Sequence, residues 1–124
     1  MIRLSKERDS LGIVFDQIGI PTYAHDLAET ILHIINSGNF QSGIYHYSNE
    51  GVTSWYEFAK GIVEMAGIKC AIYPIETYQY PTPAKRPAYS ILNKAKIKSV
   101  YKINIPDWKN SLEKCINILK QKDV

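Results

Sequence analysis

The chain has 124 residues, 45% hydrophobic and 22% charged, which is about one domain's worth of sequence with enough apolar material for a core and excludes a disordered composition. No apolar run reaches the length that spans a bilayer, and the charged opening Met1–Arg8 cannot be a signal-peptide core, so the expectation is a soluble cytoplasmic protein with no membrane partner. The net charge of +3 is polarised, −4 over residues 1–68 and +7 over residues 69–124, a distribution that suits an anionic partner or a merely solvated basic face.

Met1–Arg8 reads as a fragment of helix with no capping residue before it, as if the chain begins inside an element, and a turn follows at Asp9-Ser10. Leu11–Gln17 has the β-branched and aromatic content of a strand, closed by Gly19-Ile20-Pro21. Thr22 is placed to cap a helix whose apolar positions Leu27, Ile31, Ile34 and Ile35 recur at helical spacing, with Asp26 and Glu29 near its positive end and Gly38 just past it. Gly43–Tyr47 is a short strand candidate. Ser54 and Glu57 have capping-box spacing ahead of the stripe Trp55, Phe58, Ile62 and Met65, and Gly67 ends that helix. Ala71–Ile75 is a further strand. Asn93 caps a short helix to about Val100, and Asp107 caps a last one that buries Trp108, Leu112, Cys115, Ile116 and Leu119. The order is an α/β pattern with too few strands for a sheet of its own, so a central sheet is expected upstream of residue 1 or in another chain.

The segment Tyr80–Ser90 carries Pro81, Pro83 and Pro87 around a single arginine, Arg86. Proline fixes its own φ and biases the residue before it toward extended backbone, so Tyr80, Thr82 and Arg86 are kept out of helix. A guanidinium presented this way offers a planar fork for carboxylate or phosphate oxygens; the plainer alternative is a surface loop. Tyr73, Tyr78, Tyr80 and Tyr89 surround the arm and could line a pocket or pack as boundary residues.

Other motifs are excluded or discounted. There is no glycine-rich strand–turn–helix fingerprint, P-loop or G-x-S-x-G, so no cofactor site is encoded. Tyr56 and Lys60 match Y-x-x-x-K, in which a lysine lowers a tyrosine's pKa for carbonyl protonation, but they lie in the first turns of an amphipathic helix and read as structural or solvated. Cys70 and Cys115 stand far apart and read as small core residues. His25, His33 and His46 are scattered, and no cysteine or carboxylate completes a ligand set with them, so no metal is expected. The basic residues from Lys94 to Lys122 are spread along two helical patterns with no nucleic-acid-binding motif, which argues against a nucleic-acid partner.

Taken in order, Val14–Ala28 (VFDQIGIPTYAHDLA), Ile44–Gly51 (IYHYSNEG), Ser54–Ala59 (SWYEFA), Tyr80–Leu92 (YPTPAKRPAYSIL) and the closing Ile105–Leu112 (IPDWKNSL) resemble the C-terminal portion of the dTDP-4-dehydrorhamnose reductase family. The resemblance implies a partial NAD(P)-binding Rossmann-like fold of the extended short-chain reductase type, with a few short strands and about four to five helices. Residues 1–124 would be the substrate-binding portion, and the N-terminal dinucleotide-binding domain would be absent. The family reduces dTDP-4-dehydro-L-rhamnose to dTDP-L-rhamnose with NADPH or NADH. Its catalytic Ser/Thr, Tyr and Lys belong to the missing portion, so this chain alone is expected to bind no cofactor and to be inactive. By the same resemblance Arg86 would meet the substrate diphosphate, Gln17, Pro21, Thr22 and Tyr23 would approach the sugar, and Ser90 would support Arg86 or bind the nucleotide. The implied partners are the dTDP-sugar and the missing domain, with a homo-oligomer left open. Two alternatives stand beside this: a regulatory module of the kind found in methionine adenosyltransferase, and an extended reductase or epimerase acting on another nucleotide sugar.

Overall fold

The computed structural model describes residues 1–122. In chain order these form α1 (Ile2–Glu7), β1 (Ser10–Val14), β2 (Ile18–Gly19), α2 (Ala24–Asn36), β3 (Thr53–Ser54), α3 (Trp55–Ala66), β4 (Ala71–Ile75), a 3-10 turn (Thr77–Gln79), β5 (Tyr89–Ser90), α4 (Ala95–Tyr101) and α5 (Trp108–Lys122). The class is mixed α/β, a partial Rossmann-like fold. β1 and β4 pair in parallel from Ser10↔Ala71 to Val14↔Ile75. Parallel neighbours need a long crossover, here the segment that holds α2 and α3. A second sheet has the order β3-β2-β5, with β2 antiparallel to β3 and parallel to β5.

Local chemistry sets the helix ends. The Ser54 hydroxyl accepts from the Glu57 amide at 3.1 Å, and Gly67, at φ 70°, closes α3 in the left-handed conformation that glycine adopts without strain. Asp107 accepts from the Lys109 amide at 2.9 Å and starts α5. α3 packs on β1, β4, α1 and α5, and its inner face joins α5 in one core cluster: Ile62, Trp108, Leu112 and Ile116, with Phe58 edge-on to Trp108 at 5.7 Å. Full burial of each such side chain is worth about 2 kcal/mol. Ile97, Tyr101 and Ile105 form a second cluster, against which Ile34, Tyr45 and Tyr47 pack.

Several expectations change. β1 stops at Val14 short of the expected Gln17, and Ile18–Gly19, its glycine expected in the closing segment Gly19-Ile20-Pro21, forms the central strand of the second sheet. Gly43–Tyr47 forms no strand. Thr22 does not cap α2: the helix starts at Ala24, and the Tyr23 amide is taken by the Asn49 side chain at 2.8 Å. Ile31 and Ile35 of α2 are exposed, as is Leu119 of α5. Trp55 leaves the buried stripe, which is centred on Ala59, Ile62 and Val63. Asn93 does bond the Ala95 amide at 2.9 Å, but Lys94 occupies the cap position. Both cysteines are only half-buried.

Candidate functional site

β2 and the proline arm face each other across a cleft of about 190 Å³ lined by Gln17, Ile18, Gly19, Ile20, Pro21, Thr53, Ser54, Trp55, Phe58, Arg86, Pro87 and Ser90. The sheet pairing builds it. β5, at the end of the arm, lies beside β2, with Ile18↔Tyr89 and Gly19↔Ser90 in register, and the Ile18 amide donates to the Ala88 carbonyl at 2.8 Å. β3, on the other side of β2, delivers Ser54 and the first turn of α3 to the same cleft.

Arg86 is the one charged residue lining this cleft among the described residues. It is exposed and makes no hydrogen bond or ion pair among them, so its guanidinium fork is unspent. Close to it, the start of α3 adds the partial positive charge of a helix N-terminus. Trp55, 52% exposed, offers an aromatic wall. Gln17 is buried, and its amide nitrogen donates to the Thr77 hydroxyl at 3.1 Å. That hydroxyl donates in turn to Asp16 at 2.7 Å. The hydroxyl, followed by the Thr77 backbone amide, holds the Asp16 carboxyl below its ordinary value.

Of the residues expected at a substrate site, Gln17, Pro21, Arg86 and Ser90 therefore share one cleft. Thr22 and Tyr23 line a smaller neighbouring cavity, together with Asn49, Ser111 and Cys115; Pro21 lines both. Burial, and next the proximity of Cys115, push the Tyr23 phenol up. Trp55, Thr53 and Ser54 are missing from the sequence reading of the site. The capping motif there contains part of the signal, since a cap fixes where a helix end points, but the pairing with β2 that aims it is non-local. Tyr56 and Lys60 line a neighbouring groove with Phe15, Glu57 and Lys109; it shares Ile18, Thr53 and Ser54 with the cleft, but Arg86 does not line it.

Behind the cleft lies a buried polar hub. Asn49 is fully buried; its side-chain nitrogen donates to Asp26 at 2.6 Å and Ser111 at 2.8 Å, with the Pro106 carbonyl at 3.2 Å, and Ser111 also donates to Asp26. Lys94, itself buried, donates to the Asn49 carbonyl at 2.6 Å and pairs with Glu50, which also pairs with Lys98. His25, Asp26 and Glu29 bring their polar side-chain atoms within 4.8 Å of one another, a grouping the sequence reading did not assemble. The Asp26 oxygen is already committed to Asn49 and Ser111.

Comparison with known proteins gives a family. Residues 1–121 match the family described as RmlD substrate binding domain. A curated dTDP-4-dehydrorhamnose reductase from Burkholderia thailandensis is 38% identical over 96% of this chain and 45% of its own length. A crystal structure of a dTDP-4-dehydrorhamnose reductase from Clostridium acetobutylicum superposes with a TM-score of 0.87 at 38% identity, covering 96% of this chain and 42% of that one. A second, from Bacillus anthracis in complex with NADP, gives a TM-score of 0.82 at 40% identity over 91% of this chain and 39% of that one. The chain thus spans less than half the length of these relatives.

Proposed function

The chain belongs to the RmlD substrate binding domain family, and from that footing we propose that it is the sugar-nucleotide-binding portion of a dTDP-4-dehydrorhamnose reductase, the whole protein reducing the 4-keto group of dTDP-4-dehydro-L-rhamnose with NADPH. The observation that carries this reading is the unspent Arg86 fork, the one charge lining a cleft with no carboxylate among its described lining residues. Two guanidinium nitrogens can grip two oxygens of a diphosphate at once, and the α3 N-terminus adds to the attraction. Trp55 gives a flat apolar face for a base, and Gln17 and Ser90 supply hydrogen-bonding groups along the same cleft.

This chain's part in the reaction is to bind and orient. The glycines with positive φ are Gly38, Gly43, Gly51 and Gly67, none of them at a strand-to-helix turn that would cradle a pyrophosphate, which supports a dinucleotide held outside this chain. Reducing chemistry belongs to residues outside the chain.

Calorimetry of the purified chain with dTDP tests the proposal. We expect measurable binding, weakened at least about tenfold in Arg86→Ala by loss of a charge-assisted pair, partly retained in Arg86→Lys, and weakened by salt. No oxidation of NADPH is expected from the chain alone. Absence of dTDP binding would overturn the reading. Turnover by the chain would return attention to Tyr56 and Lys60, and equal affinity for a UDP-sugar would indicate another nucleotide-sugar enzyme.

A further inference from the structure

We infer that Asp16 is the positioning residue for Arg86: its carboxylate fastens the root of the proline arm to the same tripeptide that fastens the arm's far end, and so fixes where the guanidinium stands over the cleft. The inference deepens the nucleotide-binding reading and rests on it for the identity of the ligand.

β1 and β4 run in register to Val14↔Ile75, with one further backbone bond from the Phe15 amide to the Ile75 carbonyl at 3.0 Å. There the ladder ends. The Thr77 amide is met instead by the two carboxylate oxygens of Asp16, at 3.0 and 3.1 Å, and the Thr77 hydroxyl donates to the first of them at 2.7 Å. Gln17, the next residue, donates to that same hydroxyl and lines the cleft. Ile18, the residue after, holds the Ala88 carbonyl. Both ends of the arm are therefore tied to Asp16-Gln17-Ile18.

Between those ties the arm has little else to hold it. Every residue from Tyr78 to Ser90 is exposed, and its internal hydrogen bonds are local: the Gln79 amide to Glu76, the Tyr80 amide to Thr77, and the Thr82 hydroxyl to the Ala84 carbonyl at 2.8 Å. The prolines stiffen the arm without placing it, because fixed φ values limit shape and not position. With both ends tied, the segment is a closed loop of one geometry; with the Asp16 tie cut, its root keeps only the Gln17 bond to the Thr77 hydroxyl and the β4 pairing that ends two residues earlier at Ile75, so the arm gains freedom between Ile75 and β5. The Asp16–Thr77 contacts are themselves partly exposed and lie off both core clusters, so they bear on placement more than on global folding.

The test uses the full chain with Asp16→Ala, Asp16→Asn, Thr77→Val and Thr77→Ser. Three quantities are measured: the melting temperature, the rate at which trypsin cuts the Lys85–Arg86 bond, and dTDP affinity. Cutting after Arg86 is blocked by Pro87, so the Lys85 site reports the arm. If the tie keeps the arm in place, Asp16→Ala speeds cleavage at Lys85 and weakens dTDP about tenfold, as expected when the binding-competent placement falls to a tenth of the population. Thr77→Val and Asp16→Asn, which keep an acceptor for the Thr77 amide, give smaller changes of the same kind. Thr77→Ser behaves as wild type, and melting temperatures stay close together. Wild-type cleavage rates and affinities in Asp16→Asn and Thr77→Val as well as Asp16→Ala would overturn the inference, as would affinity losses that merely track melting temperature. If the unaltered chain binds no dTDP while Asp16→Ala still loosens the arm, the nucleotide reading falls and the tether stands.

Discussion

Replacing Asn49 by alanine removes the centre of the buried hub. The side chain is wholly inaccessible and makes three short contacts: it donates to Asp26 at 2.6 Å and to Ser111 at 2.8 Å, and accepts from the Tyr23 amide at 2.8 Å. The bond to the Asp26 carboxylate is worth about 1.5–3 kcal/mol, and leaving the Tyr23 amide without a partner costs about 1–3 kcal/mol. The Ser111 hydroxyl retains its bond to Asp26, so its share is small. The loss comes to roughly 3–5 kcal/mol, a large part of the typical total of about 5–15 kcal/mol for a domain. At about 3–5 °C per kcal/mol for a chain of this size, the melting temperature falls by roughly 9–25 °C. Urea unfolding followed by tryptophan fluorescence measures this, because the Trp108 amide donates to Glu50 beside the hub and its ring is buried. A loss below about 1 kcal/mol would mean that water replaces the amide at no cost and would refute the assignment of Asn49 as hub. Asn49→Asp sharpens the test by setting a second carboxylate against Asp26; it should be the worse of the two near neutral pH and recover as the pH falls.

Gly51→Ala should destabilise by about 2 kcal/mol or more, because φ there is 84° and a Cβ would stand 2.6 Å from the Asp107 carboxylate and 2.7 Å from the Trp108 ring; an unchanged urea midpoint would refute this. Ser54→Ala should cost about 1 kcal/mol through loss of the bond to the Glu57 amide and should also weaken dTDP by loosening the α3 start; stability and calorimetry check both. Lys98, then Lys94, hold the Glu50 carboxyl below its ordinary 4.5 against the opposing effect of burial. A depressed carboxyl stabilises above its unfolded pKa and loses that contribution as the pH falls through the folded value. Stability should therefore decline below about pH 4.5, the decline being shallower in Lys98→Met; an identical pH profile for that variant would refute the pairing.

What the sequence reveals here depends on how far apart the interacting groups lie. Helix ends are local events, and Ser54, Gly67 and Asp107 are each found at the boundary their chemistry indicates. The arm and Arg86 are also legible, since three prolines act on their immediate neighbours, whereas Gln17, Pro21 and Ser90, which line the same cleft, are reached only through the family resemblance. Trp55 was misplaced by a stripe of plausible spacing: the inward face is turned toward Ala59, Ile62 and Val63, which leaves a first-turn aromatic facing the cleft. The hub is illegible because its members are separated by 23, 57 and 62 positions. Asn49 also reaches in from a distant loop to accept the Tyr23 amide, and α2 starts one residue later than a Thr22 cap requires, with Tyr23 at the cap position.

Gly43–Tyr47 shows the converse, a segment whose local chemistry is that of a strand and whose surroundings do not make one. Its side chains alternate as a strand's would: Tyr45 and Tyr47 pack against the Ile97 cluster, while Ile44, 81% exposed, and His46 face outward. The backbone is where the pattern fails. Among the described residues the amides from Ile44 to Ser48 have no hydrogen-bond partner, and the Ile44 carbonyl is met by the Lys96 ammonium at 3.1 Å instead of by a neighbouring strand. Lys96 also stands over the Tyr45 ring at 4.4 Å, so one lysine holds both the side chain and the backbone of the segment in place. β-propensity describes how well a side chain fits a pleated, half-buried surface; it does not provide the second strand that makes the surface. A strand is thus a property of a pair, and the residues that pack here supply only one member of it.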